Sequence, residues 1–153
     1  MSFAKPSHAG WPRVAPALFY DDAAAAIDWL VRAFDLKVRL RIDGDDGRVV
    51  HSELECGDGL VMVANAKNPA HPELTHTRSP RSLAGANTQS LCVVVDDPDA
   101  HCARARAAGA AIASEPETQD YGPEYGAHRG YRAIDLEGHH WWFLREVRGP
   151  AAK

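Results

Sequence analysis

Ala17-Leu-Phe-Tyr-Asp21-Asp22 and Cys92-Val-Val-Val-Asp96-Asp97 are two versions of one phrase. Each is a short apolar run closed by an Asp-Asp pair, and the pairs begin 75 residues apart, at positions 21 and 96. An alanine-rich stretch follows each, ending at Phe34 in the first case and at Ala108 in the second. A second echo comes later. Gly57-Asp58-Gly59 introduces the apolar run Leu60–Ala64, and Leu136-Glu137-Gly138 introduces His139–Leu144. Self-similarity at a fixed spacing marks a repeat. Two units in 153 residues predict a duplicated domain with pseudo-twofold symmetry, an arrangement that favours a pocket between or within the halves.

Each half reads as β-α-β-β-β. Val14–Tyr20 is short, apolar and bounded by Pro and Asp, hence a strand. Asp21 or Asp22 caps the helix that follows, because a carboxylate accepts from the free N–H groups of a first turn. Ala23, Ala26, Ile27, Leu30, Val31 and Phe34 recur at helical spacing and give it one buried face. Lys37–Ile42 alternates as a strand, Asp43-Gly-Asp-Asp-Gly47 is a hairpin turn, Arg48–Cys56 returns, and Leu60–Ala64 is a buried strand. In the second half Ser90–Val95 opens as a strand. Asp97 caps a helix with Pro98 at its first position, and Gly109 stops it. Ala110–Ser114, Tyr131–Ile134 and His139–Arg145 are strands, with Gln119–Gly130 as a loop or distorted strand. The resulting division is an N-terminal arm (1–12), a first module (13–66), a linker (67–88), a second module (89–147) and a tail (148–153), within one structural domain. The linker carries Asn68-Pro69, His71-Pro72 and Ser79-Pro80. Irregular segments of that length are more often functional or mobile than inert.

Bulk properties narrow the function. Hydrophobic residues make up 45% and charged residues 25%, as in soluble globular domains. The net charge is −4 and no Lys/Arg cluster interleaves with aromatics, so nucleic acid is not an expected partner. No apolar stretch approaches the roughly 20 residues of a membrane span. The first residues lack an apolar signal core, so a cytoplasmic protein is expected. Three cysteines without a CxxC argue against a disulfide framework and a structural zinc site.

The most specific stretch is Arg129-x-Tyr131 followed by Asp135-Leu-Glu-Gly-His139-His-Trp141-Trp-Phe143. It resembles the Asp-Pro-(Asp/Glu)-Gly-(His/Asn)-x-(Trp/Leu)-x-Phe stretch leading into the last strand of the vicinal oxygen chelate superfamily. That superfamily groups glyoxalase I, extradiol dioxygenases and the fosfomycin- and bleomycin-resistance proteins. Asp21-Asp22 with the alanine-rich helix ending in Ala33-Phe34 is similar too, as is Val95-Asp-Asp-Pro-Asp with Ala107-Ala-Gly-Ala110. The resemblance spans Val14 to Val147 and looks closest to an uncharacterised PhnB-like or bleomycin-resistance-like subgroup. It implies an α+β fold, two βαβββ modules forming a cup-shaped mixed sheet, and a homodimer. It also implies a divalent metal held by His and Glu from four strands, with open positions for two adjacent substrate oxygens. Carried onto this chain, the four positions fall at Ala15, Met62, Ser90 and Trp142. None is a good ligand, so the expectation is an absent metal site and no cofactor.

Alternation places His139, Trp141 and Phe143 on one face of the last strand and His140, Trp142 and Leu144 on the other. The resemblance turns the second set toward the cup. Ser90 and Cys92, Met62, and His51 with Glu53 join it as candidate ligand-binding residues, together with His140 and Trp142. His51 and Glu53, two apart on one strand, read as a relocated metal site with a further ligand from His128 or His140, as an acid–base pair, or as a hydrogen-bonded polar strand face. His139 and His140 point to opposite faces and cannot chelate together; His139 reads as a satisfied core histidine. Tyr121, Tyr125, His128, Arg129 and Tyr131 form a second candidate cluster. Its aromatics either stack on a flat ligand while Arg129 holds an anionic group, or pack at a dimer interface while Arg129 pairs with a carboxylate. Cys92 and Cys102 read as buried small hydrophobes. The expected function is small-molecule binding, with an apolar or aromatic ligand in the cup. The alternative is a metal-dependent lyase, isomerase or dioxygenase with displaced ligands.

Overall fold

A computed structural model describes residues 11–68 and 71–151; the expected arm, except its last two residues, lies outside them. The first half contains β1 (Ala17–Tyr20), α1 (Ala23–Phe34), β2 (Lys37–Asp43), β3 (Val49–Cys56) and β4 (Gly59–Asn65). The second contains β5 (Ser90–Val94), α2 (Pro98–Ala107), β6 (Ala111–Asp120), β7 (Ala127–Ile134) and β8 (His140–Arg148). The strand orders are β1-β4-β3-β2 and β5-β8-β7-β6. The first strand of each half pairs parallel with the last, and the other pairs are antiparallel. Ala17 lies opposite Met62, and Cys92 opposite Trp142. The sequence repeat is therefore a repeat in space, and the fold is the α+β architecture of paired βαβββ modules. No helix among the described residues is long and apolar enough to cross a membrane.

The caps lie where the Asp-Asp pairs place them. Asp22 accepts from Ala25 N at 3.0 Å, and Asp97 from Asp99 N and Ala100 N. Gly109 follows the end of α2 with a φ of 89°, a left-handed position that a Cβ would strain. On α1 the buried residues are Ala23, Ala26, Ile27, Trp29, Leu30, Ala33 and Phe34. Val31 is half-exposed instead of buried, and Trp29 turns in to donate its indole N–H to Ala108 O at 3.1 Å. The helix packs against α2 as well as its own sheet, which widens its buried stripe. Phe34 reaches Trp141 and Phe143 of β8, with ring centroids 5.3 and 4.7 Å away. The helix-covered faces of the two sheets thus share one core.

Two strands run longer than the sequence suggests. β6 continues to Asp120 through Pro116, and β7 begins at Ala127, before Gly130. Proline is tolerated because β6 is an edge strand whose register shifts between Ile112 and Glu117, as at a bulge. The linker is also less irregular than expected. It forms two short turns, Pro72–Leu74 and Pro80–Leu83, the second closed by Ser79 as cap.

The Asp135-Leu-Glu-Gly138 turn between β7 and β8 clasps the halves together. Asp135 accepts from Tyr20 Oη at 2.6 Å and Trp141 Nε1 at 3.0 Å, while its other oxygen takes the backbone N–H groups of Glu137, Gly138 and His139. Glu137 accepts from Asp21 N and Asp22 N, at 2.7 and 2.9 Å, and from Ser79 Oγ at 2.5 Å. One short turn therefore holds β1, the start of α1 and the linker. Burial and the Asp135 charge push the Tyr20 hydroxyl pKa well up, which keeps it a donor.

Candidate functional site

Each sheet turns one face to the helices and leaves the other open. On β8, Trp141 and Phe143 are fully buried, whereas Trp142 is 36% exposed. His139 is buried on the helix side, its ring 4.6 Å from that of Tyr20 and its Nε2 3.1 Å from Phe19 O. It is a core histidine. His140 and Trp142 belong to the open face.

The open face of the second sheet is built in cross-strand rows. Ser90, His140 and Ile134 form one; Cys92, Trp142, Arg132 and Ser114 the next; Leu144, Gly130 and Glu117 a third. Cys92 is exposed, not buried, because β5 is an edge strand. Partial burial pushes its thiol pKa up, the wrong direction for a nucleophile. Cys102 is buried as expected.

The open face of the first sheet brings His51, Glu53 and Met62 together. Glu53 lies opposite Met62 and is 6% exposed. Its carboxylate stands 3.2 Å from His51 Nε2 and 3.4 Å from Arg39 Nε. Leu40 and Ile42 face these residues across β2, and both are exposed.

The aromatic–basic cluster divides. Tyr131 enters the core, where its hydroxyl lies 2.7 Å from His101 Nδ1. Arg129 points to the helix side and pairs with Asp99 of α2, which holds that carboxyl below its usual range. Tyr125 is exposed in the β6–β7 loop. Tyr121 stays at the rim of the open face, edge-on to His128 at 5.8 Å, with its hydroxyl donating to Gln119. Of this cluster only Tyr121 and His128 stand beside the row containing Trp142.

Arg132, Ser114 and Gly130 complete that neighbourhood, and sequence reasoning missed them. The Arg132 guanidinium lies 5.0 Å from the Trp142 ring centroid, and its Nε donates to Ser114 Oγ at 3.3 Å. The signal was the alternation Tyr131-Arg132-Ala133 in a strand whose odd positions enter the core.

The metal positions implied by the resemblance carry a methyl, a thioether, a hydroxyl and an indole, at Ala15, Met62, Ser90 and Trp142. That donor set does not fit a divalent ion, which takes imidazole and carboxylate groups in such sites. Among the described residues no group of three or more His, Cys, Asp and Glu side chains converges.

A cleft of about 450 Å³ lies elsewhere, between the β3–β4 turn and the start of α2. Cys56 and Gly57 face Asp96, Asp97 and His101 across it. Within it Asp35 pairs with Arg104, and His101 bonds Tyr131 and Phe34 O. None of the site residues expected from the sequence lines this cleft.

Comparison with known proteins agrees with the fold. The model of the Glyoxalase/Bleomycin resistance protein/Dioxygenase superfamily matches residues 9–143. An uncharacterised protein of Mycobacterium bovis is 36% identical over 139 residues, covering 90% of this chain and 85% of the relative. An uncharacterised Mycobacterium tuberculosis protein shows the same identity, with 76% of its length covered. Among solved structures, TioX from Micromonospora sp. ML1 superposes with a TM-score of 0.65 at 36% identity, over 87% of this chain and 97% of that one. TnmS3, an antibiotic binding protein from Streptomyces sp. CB03234, gives 0.62 at 18% identity, over 95% and 100%.

Proposed function

The chain belongs to the Glyoxalase/Bleomycin resistance protein/Dioxygenase superfamily, and from that membership and its open sheet faces we propose that it is a metal-free small-molecule-binding protein. The reading is carried by Trp142. A strand that buries Trp141 and Phe143 completely presents a third large aromatic outward, in a row with Cys92, Arg132 and Ser114. An indole offers a flat apolar surface to a ring, and pockets for small molecules combine such surface with a few placed polar groups. TnmS3, of the same fold, is an antibiotic binding protein, so the architecture is compatible with the task. An apolar or aromatic ligand on this face is what the lining favours. Cys92 shares the Trp142 row, Ser90 and His140 border it, and Tyr121 stands at its rim; Met62, His51 and Glu53 line the open face of the first sheet. We take the protein to be a homodimer, because β2 leaves Val38, Leu40 and Ile42 all exposed and a second chain would cover them.

A thermal-shift and tryptophan-fluorescence screen with flat aromatic compounds tests this reading. Hits should raise the melting temperature of the wild type and lose their effect in Trp142→Ala. Hits indifferent to that change would place binding elsewhere. Elemental analysis of the purified protein, after incubation with Ni, Zn, Mn and Fe(II), tests the metal-free part. One tightly retained metal per chain would overturn it and favour the enzyme reading, with the His51–Glu53 pair as its first ligands.

A further inference from the structure

We propose that the ligand of the second sheet's open face is a planar organic acid, an aromatic carboxylate or sulfonate, whose anionic group is taken by Arg132. This rests on the reading of that face as the binding site and adds the ligand's charge.

The argument starts from how Arg132 spends its donors. Its guanidinium lies over the Trp142 ring and its Nε–H goes to Ser114 Oγ. A guanidinium held over an aromatic ring by cation–π attraction can still offer its Nη–H groups to an anion. With Nε fixed by Ser114, the two Nη groups remain, and neither has an acceptor among the described residues. They form the fork that binds a carboxylate or sulfonate through two parallel bonds. Arg39, Arg41, Arg129 and Arg148 of the two sheets each face a carboxylate within the chain, and Arg145 gives an Nη–H to the Asp96 carbonyl. Arg132 makes no ion pair among the described residues and is exposed, so its fork is open to an anionic group from outside.

The ground next to the fork suits a flat ring. Gly130 follows Arg132 along the face, where a Cβ would stand 2.7 Å from both Leu144 Cβ and Phe143 O. Only hydrogen fits there, and the strand surface sinks into a shallow recess bordered by Tyr121, His128, Arg132 and Leu144. Glu117, the acid that lines this recess opposite Gly130, accepts from the Gln119 amide at 2.9 Å and makes no ion pair with Arg132. A ring lying over Gly130 meets Leu144 and Trp142 beside it, the Tyr121–His128 pair at one end and the fork at the other. A neutral ring would leave the fork unused, and a cation would be repelled by it.

Two probes with the same rings separate the charge from the stacking: anilinonaphthalene sulfonate and the uncharged phenylnaphthylamine. Fluorescence titration of the wild type should favour the sulfonate by about tenfold or more, the scale of one charge-assisted contact. Arg132→Ala should bring the ratio of the two affinities close to one, abolishing that preference. Arg132→Lys, which keeps the charge but loses the fork, should lose most of it. Trp142→Ala should weaken both probes. Equal affinities in the wild type, or an unaltered preference in Arg132→Ala with native circular dichroism, would overturn the proposal and leave open-face binding standing. Probe affinities untouched by Trp142→Ala would overturn both readings.

Discussion

Removing the Glu137 carboxylate should weaken the protein more than any change on the open faces. Its side chain has no solvent exposure and takes bonds from Asp21 N, Asp22 N and Ser79 Oγ, with Arg81 Nη1 at 3.5 Å. Ser79 is itself fully buried. In Glu137→Ala the hydroxyl and two backbone donors lose their acceptor, and water has no ready path to the hydroxyl. Breaking one partner out of a buried charged arrangement costs about 3–5 kcal/mol. For a domain of this size each kcal/mol moves the melting temperature by about 2–4 °C, so a fall of roughly 6–20 °C is expected. Glu137→Gln keeps the shape but turns one oxygen into a donor facing donors, for about 1.5–3 kcal/mol. Urea unfolding with calorimetry measures both. Hydrogen exchange should show faster exchange at Asp21 and Asp22 before any global loss. A Glu137→Ala stability within about 1 kcal/mol of wild type would refute the clasp as described, because a buried carboxylate with these partners has no cheaper loss.

Three further outcomes are expected. Tyr20→Phe deletes the 2.6 Å bond to Asp135 in a buried setting and should cost about 1.5–3 kcal/mol in urea unfolding, the range for a bond to a charged group. His101 is held below the usual imidazole pKa of 6.5, chiefly by burial. The unfolded chain therefore takes up a proton before the folded one does. Its contribution is complete above that value and is lost as pH falls through the folded pKa, so His101→Gln should flatten the decline in stability below about pH 6.5, read by unfolding at stepped pH. Arg129→Ala breaks an exposed pair with Asp99 and should leave both the melting temperature and sulfonate-probe titration close to wild type; a large drop in probe affinity would move the ligand's anionic group to the helix side.

The fold was legible because its cues are local and repeated. The Asp-Asp pairs are caps, the apolar steps of α1 are a helix face, and the alternation in His139–Leu144 sorts Trp141 from Trp142 correctly. The site was legible only in part. Met62, Ser90 and Trp142 came from the family resemblance, and alternation along β5 added Cys92 to the same face. Arg132 was not found, because it matters through its cross-strand neighbours Trp142 and Ser114, and cross-strand register is not written in one strand. Arg129 was singled out instead; its partner Asp99 sits 30 residues away on a helix. Glu137 was quoted as part of a motif with no task attached, since its four partners lie far away in sequence, Asp21 and Asp22 before α1 and Ser79 and Arg81 within the linker.

The clasp also breaks the symmetry that the duplication suggests. Between Asp135 and His139 the turn has three residues, and Glu137 is the middle one; between Cys56 and Gly59 the corresponding turn has only Gly57 and Asp58. No bond from that shorter turn to Asp96 or Asp97 exists among the described residues, and the cleft of about 450 Å³ lies there instead. The halves are thus joined differently at the two places: by the buried carboxylates of Asp135 and Glu137 at the clasp, and beside the cleft by the Arg104–Asp35 pair and the contact of His101 with Phe34 O. The half-buried thiol of Cys56 lines that second junction.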